Sequence, residues 1–120
     1  LGEREAVILG EEIQPRYTYI RLAGVGLVID ENGHATYAGS TTVPGYNVRI
    51  SLHLQRSKNE LAWENIQGSM KRIYDSGGME KTADLPKDGY YYRAKLVVEV
   101  LDSNNNVIES ENFYSSTEFY

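Results

Sequence analysis

Between Gly89 and Leu101 the chain alternates for eleven residues: Tyr90, Tyr92, Ala94, Leu96, Val98 and Val100 on one parity, Tyr91, Arg93, Lys95, Val97 and Glu99 on the other. A period of two at this length predicts a strand with one face in a core, and its apolar row is long enough for a central position in a sheet. Val48 to Arg56 repeats the pattern, with Val48, Ile50, Leu52 and Leu54 facing in and Arg49, Ser51, His53 and Gln55 facing out. No stretch of about ten residues shows the 3.6-residue period of an amphipathic helix. The rest of the fold has to be built around two such strands.

Turn chemistry supplies the remaining divisions. Asn32-Gly33 separates a strand spanning Tyr17 to Ile29 from one spanning His34 to Val43, and Pro44-Gly45 closes the second. In the first of these, Ile20, Leu22 and Val28 are predicted inward and Tyr17, Tyr19 and Arg21 outward, with a kink or bulge at Gly24 and Gly26. A four-residue loop, Ser57 to Glu60, would set Trp63 opposite Leu54 and so inside the core. Met70 to Tyr74 reads as a further short strand, and Asp75 to Asp84, with Gly77-Gly78, as a loop. A turn at Ser103-Asn104-Asn105 leads to a closing edge strand, Val107 to Phe119, with Ile108 and Tyr114 inward.

These elements predict an all-β fold of about seven strands, a two-sheet antiparallel sandwich of immunoglobulin-like type, with a jelly roll or small barrel as the alternative. Residues 1–15 read as an N-terminal tail or linker, with Ala6-Val7-Ile8-Leu9 available as an added edge strand, and 16–120 as one domain. A chain of 120 residues buries roughly two-thirds of its unfolded surface, so the absence of cysteine removes no support that the core needs. It does remove thiol catalysis and thiolate metal sites. Ten tyrosines against two phenylalanines and one tryptophan suit a sheet with one wet face, because each phenol must keep its hydroxyl solvated or bonded.

Charge narrows the partners. Seventeen acidic residues against twelve basic ones leave a net charge of −5 with no Lys/Arg run, which argues against nucleic acid and anionic membranes. No apolar run approaches the ~20 residues of a membrane span. Catalytic and metal readings are weak. Ser51, His53 and Glu64 could share an outer face, yet a flat strand offers neither oxyanion hole nor strained nucleophile turn. His34 and His53 stand on different strands without a third ligand. Asp102-Ser103-Asn104-Asn105-Asn106 begins like a calcium loop, then places Val107 at the glycine position and Phe113 at the bidentate glutamate position. Gly24-Val25-Gly26 lacks the third glycine of a dinucleotide site.

We therefore expect no catalytic residues, no metal and no cofactor. The outward set Tyr17, Tyr19, Arg21, Tyr91 and Arg93, with Lys95, forms the candidate binding face for a glycan or protein. A tyrosine corner is expected at Tyr90 or Tyr92, just after Pro86 and Gly89. An intramolecular isopeptide cross-link is not expected, because Lys95 faces out.

The order Leu54-Gln55, Trp63, Tyr92-Arg93 and Tyr114-Ser115, following Gly33-His34-Ala35, resembles a family of small secreted domains from Gram-positive, often gut-dwelling, bacteria with no assigned function. The resemblance spans roughly Tyr17 to Tyr120 and implies a β-sandwich exported to the cell surface or medium, its signal peptide removed ahead of Leu1. Some of those relatives carry a cysteine soon after the Gly-Xaa-Ala position; here Thr36 and Tyr37 stand there. The function expected is a secreted or surface, non-catalytic binding or structural module, with an accessory domain of a hydrolase, or a minimal hydrolase, as the alternative.

Overall fold

A computed structural model describes residues 18–120; the proposed tail, its possible edge strand and Tyr17 lie outside that range. Nine strands occur among the described residues and no helix: β1 (Leu22–Ile29), β2 (His34–Thr42), β3 (Asn47–Ser57), β4 (Glu64–Asn65), β5 (Lys71–Ile73), β6 (Gly77–Asp84), β7 (Tyr91–Leu101), β8 (Val107–Tyr114) and β9 (Glu118–Phe119). All pairings are antiparallel. A three-stranded sheet, β1-β2-β6, packs on a larger one ordered β4-β3-β7-β8, in which β5 also pairs with β3 and β9 with β7. The architecture is a β-sandwich without a closed barrel.

The two strongly alternating runs are neighbours. β3 and β7 pair from Asn47↔Leu101 to Ser57↔Tyr91 without a slip. Their inward rows, Val48, Ile50, Leu52 and Leu54 against Tyr92, Ala94, Leu96, Val98 and Val100, are at most 1% exposed. Such a ladder sets register because a one-residue slip would turn this whole apolar set to water. The smaller sheet closes over it with Ala23, Val25, Leu27, Ala35, Tyr37 and Met79. Contact is close at Gly39, where a methyl group would come within 2.7 Å of Leu96 Cδ1.

Turns behave as their residues require. Gly33, Gly45 and Gly89 adopt positive φ, and the Asp30 carboxylate accepts hydrogen bonds from the Asn32 and His34 amides to close the first hairpin. Asp102 does the same for Asn104 and Asn106, with Asn105 left-handed at φ 65°. Those amides hold the Asp102 carboxyl below the usual carboxylate range, so the calcium-like sequence is a turn.

Several expectations fail at shifts of parity. Val28 is 53% exposed, Leu22 is only half-buried, and Ala23, Val25 and Leu27 face the core. Ile20 is buried as predicted, but it precedes the strand. The Glu109 carboxylate accepts from the amides of Thr18, Tyr19 and Ile20, and regular pairing starts at Leu22. In β8, Leu101 pairs with Val107 and Val100 with Glu109, leaving Ile108 as the extra residue of a bulge. Phe113 therefore faces in, and Ile108 and Tyr114 face out. The loop expected over Asp75 to Asp84 is mostly β6, whose Met79 pairs with Gly39.

The tyrosine corner takes another form. Tyr92 donates its hydroxyl to the Asp88 carboxylate four residues upstream instead of to backbone. Tyr37, fully buried, donates to the Ser69 carbonyl at 2.7 Å. Burial pushes the Tyr37 phenol up to about 12. Tyr37→Phe strands that carbonyl and should cost about 1–3 kcal/mol in denaturant unfolding. It should also soften alkaline destabilisation. The unfolded chain gives up this proton near pH 10 and the folded chain only near 12, so wild-type stability falls across that window. Equal stability and equal alkaline slopes in the two proteins would contradict the buried bond.

Candidate functional site

The outward side chains of the larger sheet are ordered by the β3–β7 register. Arg49 lies opposite Glu99, Ser51 opposite Val97, His53 opposite Lys95, Gln55 opposite Arg93 and Ser57 opposite Tyr91. At the first rung Arg49 Nε and Glu99 Oε1 form a 2.6 Å ion pair. Ser51, expected in solvent, is buried; its hydroxyl accepts from Arg72 Nε on the adjoining β5. Gln55 is also buried, bridging Arg93 Nε to the Asn65 side chain through two 2.8 Å hydrogen bonds. Long neighbours thus cover the short polar row that the alternation assigned to water.

Arg93 is the centre of the face. Its guanidinium lies 4.2 Å from the Trp63 ring and 4.1 Å from the Tyr114 ring, with Nε held by Gln55. Three strands and one loop contribute to this arrangement, which fixes an ordinarily flexible cation between two π faces. Trp63 is accordingly not a core residue. β4 pairs Glu64 with Arg56 and Asn65 with Gln55, and the Ile66 amide donates to the Leu54 carbonyl, so Ile66 takes the position foreseen for the indole.

The loop is longer than the four residues counted. Ser57 Oγ accepts from the Asn59 and Glu60 amides, Asn59 Oδ1 accepts from Leu61 and Ala62, and Glu60 is left-handed. Trp63 donates Nε1–H to the Glu60 carbonyl across that loop. Its ring also borders a 320 Å³ groove with Tyr90, Lys58, Asn59 and Arg56. Arg56 and Lys58 stand over the Tyr90 ring at 4.7 and 5.4 Å.

The residues singled out from sequence fall into two places. Tyr91 and Arg93 belong to this face, with Tyr91 packed against Phe119 at 4.9 Å. Lys95 lies between His53 and Tyr114 in register. Tyr19 and Arg21 are at the other end of the sandwich: Tyr19 packs edge-on against Tyr46 at 4.6 Å, beside the end of the ladder where Asn47 meets Leu101. Eight residues of β7, about 26 Å, separate Arg93 from the rung beside Tyr19 and Tyr46. Trp63 and Tyr114 were assigned inward from sequence; the aromatic identities were visible, the loop length and the bulge were not.

Ser51, His53 and Glu64 do not form a catalytic row. Glu64 shares a side with its partner Arg56, to which it is bonded at 2.8 Å, and that side is opposite to His53. Among the described residues no cluster of three potential metal ligands occurs and no helix is long and apolar enough to cross a membrane. No protein-family model matches the chain, and no curated protein is significantly similar to it in sequence.

Two outcomes follow. Trp63→Ala should cost about 0.5–2 kcal/mol, the scale of a lost cation–π contact, and not the ~3–5 kcal/mol of a deleted core indole; a denaturant titration measures the difference. His53 has its pKa lowered by burial first, then by Lys95 and Arg72. Its unfolded form protonates near pH 6.5 and the folded form only lower, so stability falls as pH drops through 6.5. His53→Gln should flatten that acid slope, whereas His34→Gln should not. His34 has its pKa raised by the Asp84 hydrogen bond, and any stability from it is present below pH 6.5 and lost as pH rises through the folded value.

Proposed function

We propose that this protein is an exported, non-catalytic binding module of immunoglobulin-like topology, presenting its ligand-binding surface on the outer face of the larger sheet. The single observation that carries the reading is the Arg93 guanidinium fixed between Trp63 and Tyr114. Its Nε is occupied by Gln55, and its terminal amino groups have no partner among the described residues. A cation held in one rotamer loses little entropy on binding, and amphipathic rings beside it offer apolar area with hydrogen-bonding edges. The same three-way stack also stabilises the exposed sheet, which is the structural half of the proposed role.

Strand order supports the immunoglobulin-like assignment. The sequence of pairings β1-β2-β6 against β4-β3-β7-β8 parallels the A-B-E and C-F-G groupings of immunoglobulin-like sandwiches, with β4 added beside β3. Export rests on the resemblance carried by the motif order Leu54-Gln55, Trp63, Tyr92-Arg93 and Tyr114-Ser115, which implies a secreted domain. Against a minimal hydrolase stands the placement of Ser51 on Arg72 and of Glu64 on Arg56, which leaves His53 without a nucleophile or an acid in bonding distance among the described residues.

A glycan array probed with the whole chain tests the surface assignment. Trp63→Ala and Arg93→Ala should lose the wild-type binding signal while remaining folded by circular dichroism, and Tyr19→Ala and Arg21→Ala should retain it. Loss with Tyr19→Ala and retention with Trp63→Ala would move the binding surface to the opposite end.

A further inference from the structure

The outer face of the larger sheet is cationic on a protein whose net charge is −5. Arg72 lies on it from β5, and Lys95 and Arg93 from β7. Their positions are fixed by register: Arg72 pairs with Ser51, Lys95 with His53, and Arg93 with Gln55. None has a carboxylate partner among the described residues, although Arg49 and Arg56 are both ion-paired. Arg93 and Lys95 are two residues apart on one strand face, about 7 Å. Among the described residues Lys95 makes no hydrogen bond or ion pair, and Arg72 and Arg93 each commit Nε to a neutral side chain, Ser51 Oγ and Gln55 Oε1. Three cations placed near one another without counter-charge repel one another, which an anionic ligand would relieve. Aromatic rings bound the same patch at Trp63 and Tyr114.

Taking the binding role of this face as given, the geometry points to a carboxylate-bearing polysaccharide as its ligand, with sugar rings against Trp63 and Tyr114 and carboxylates against Arg93, Lys95 and Arg72. Guanidinium forks match carboxylates in two-point geometry. The rings distinguish a saccharide from a merely acidic chain, because the apolar face of a pyranose needs a flat partner and a polyglutamate does not. Cations spaced along and across the strands suit charges repeating along an extended polymer, whereas a single compact anion would be met by converging donors. His53, lying between Arg72 and Lys95, adds a fourth positive charge when protonated.

The test is calorimetric titration of the whole chain with hexagalacturonate, with its methyl ester, which keeps the sugar and removes the charge, and with poly-L-glutamate, which keeps the charge and removes the sugar. We expect hexagalacturonate to bind, its affinity falling at least about tenfold at 0.5 M salt, where charge attraction is screened. The ester and poly-L-glutamate should each bind about tenfold more weakly. Lys95→Gln should weaken hexagalacturonate binding about tenfold with no loss of stability, since Lys95 has no bond to lose among the described residues. Arg93→Gln should weaken it further, and Arg21→Gln should leave it unchanged. Equal binding of acid and ester, or no binding of the acid while a neutral glycan is held through Trp63, overturns the acidic ligand and leaves the binding face standing. Equal binding of poly-L-glutamate overturns the saccharide. Binding that survives both Lys95→Gln and Arg93→Gln overturns the patch itself.

Discussion

Everything in this sandwich is referred to the uninterrupted pairing of β3 with β7. Its eleven rungs bury one apolar row on each strand completely, and a one-residue shift would turn both to water. At roughly 1.5–3 kcal/mol for each large apolar side chain taken out of water, the ladder dominates the energetics of the larger sheet. The smaller sheet is a lid on that row. Gly39 brings β2 against Leu96 with no room for a methyl group, and Tyr37 reaches across to the Ser69 carbonyl.

The same ladder explains the outer face. Once the inward row is fixed, the outward rungs follow as Arg49–Glu99, Ser51–Val97, His53–Lys95 and Gln55–Arg93. The flanking positions are filled by short interrupted strands: β4 and β5 share the free side of β3, and β8 and β9 the free side of β7. Breaking the edges limits strand addition by other chains. It also frees the segments between them, and the loop before β4 uses that freedom to lay Trp63 over Arg93. Serine hydroxyls replace missing backbone partners at two breaks: Ser69 Oγ contacts both the amide and the carbonyl of Leu54, and Ser115 Oγ accepts from the Ala94 amide.

What the amino-acid order reveals follows from how local each signal is. β3, β7 and the three glycine or asparagine turns were readable because alternation and φ > 0 are properties of neighbouring residues. Val28, Ile108, Tyr114 and Trp63 were misplaced because each lies at or beyond an irregularity that only tertiary contacts create. Ile108 is the bulged residue itself, and Tyr114 inherits its parity shift. Trp63 follows a loop closed by Ser57 and Asn59 side chains, and β6 opens with a glycine pair that reads as a turn until Met79 meets Gly39. Of the candidate site, Tyr91, Arg93 and Lys95 were visible as an outward row. Their separation from Tyr19 and Arg21 was not, since it depends on which end of β7 the start of β1 approaches.

The account stands on one surface being the place where a ligand meets the protein, and backbone amide NMR mapping during a hexagalacturonate titration reads that surface directly. It predicts shifts concentrated at Gln55, Trp63, Arg72, Arg93, Lys95 and Tyr114, with the Trp63 indole and Arg93 Nε protons moving most, and no shift along β1, β2 or β6. Shifts gathered instead around Tyr19, Tyr46 and Ser103, or on the smaller sheet, would contradict it.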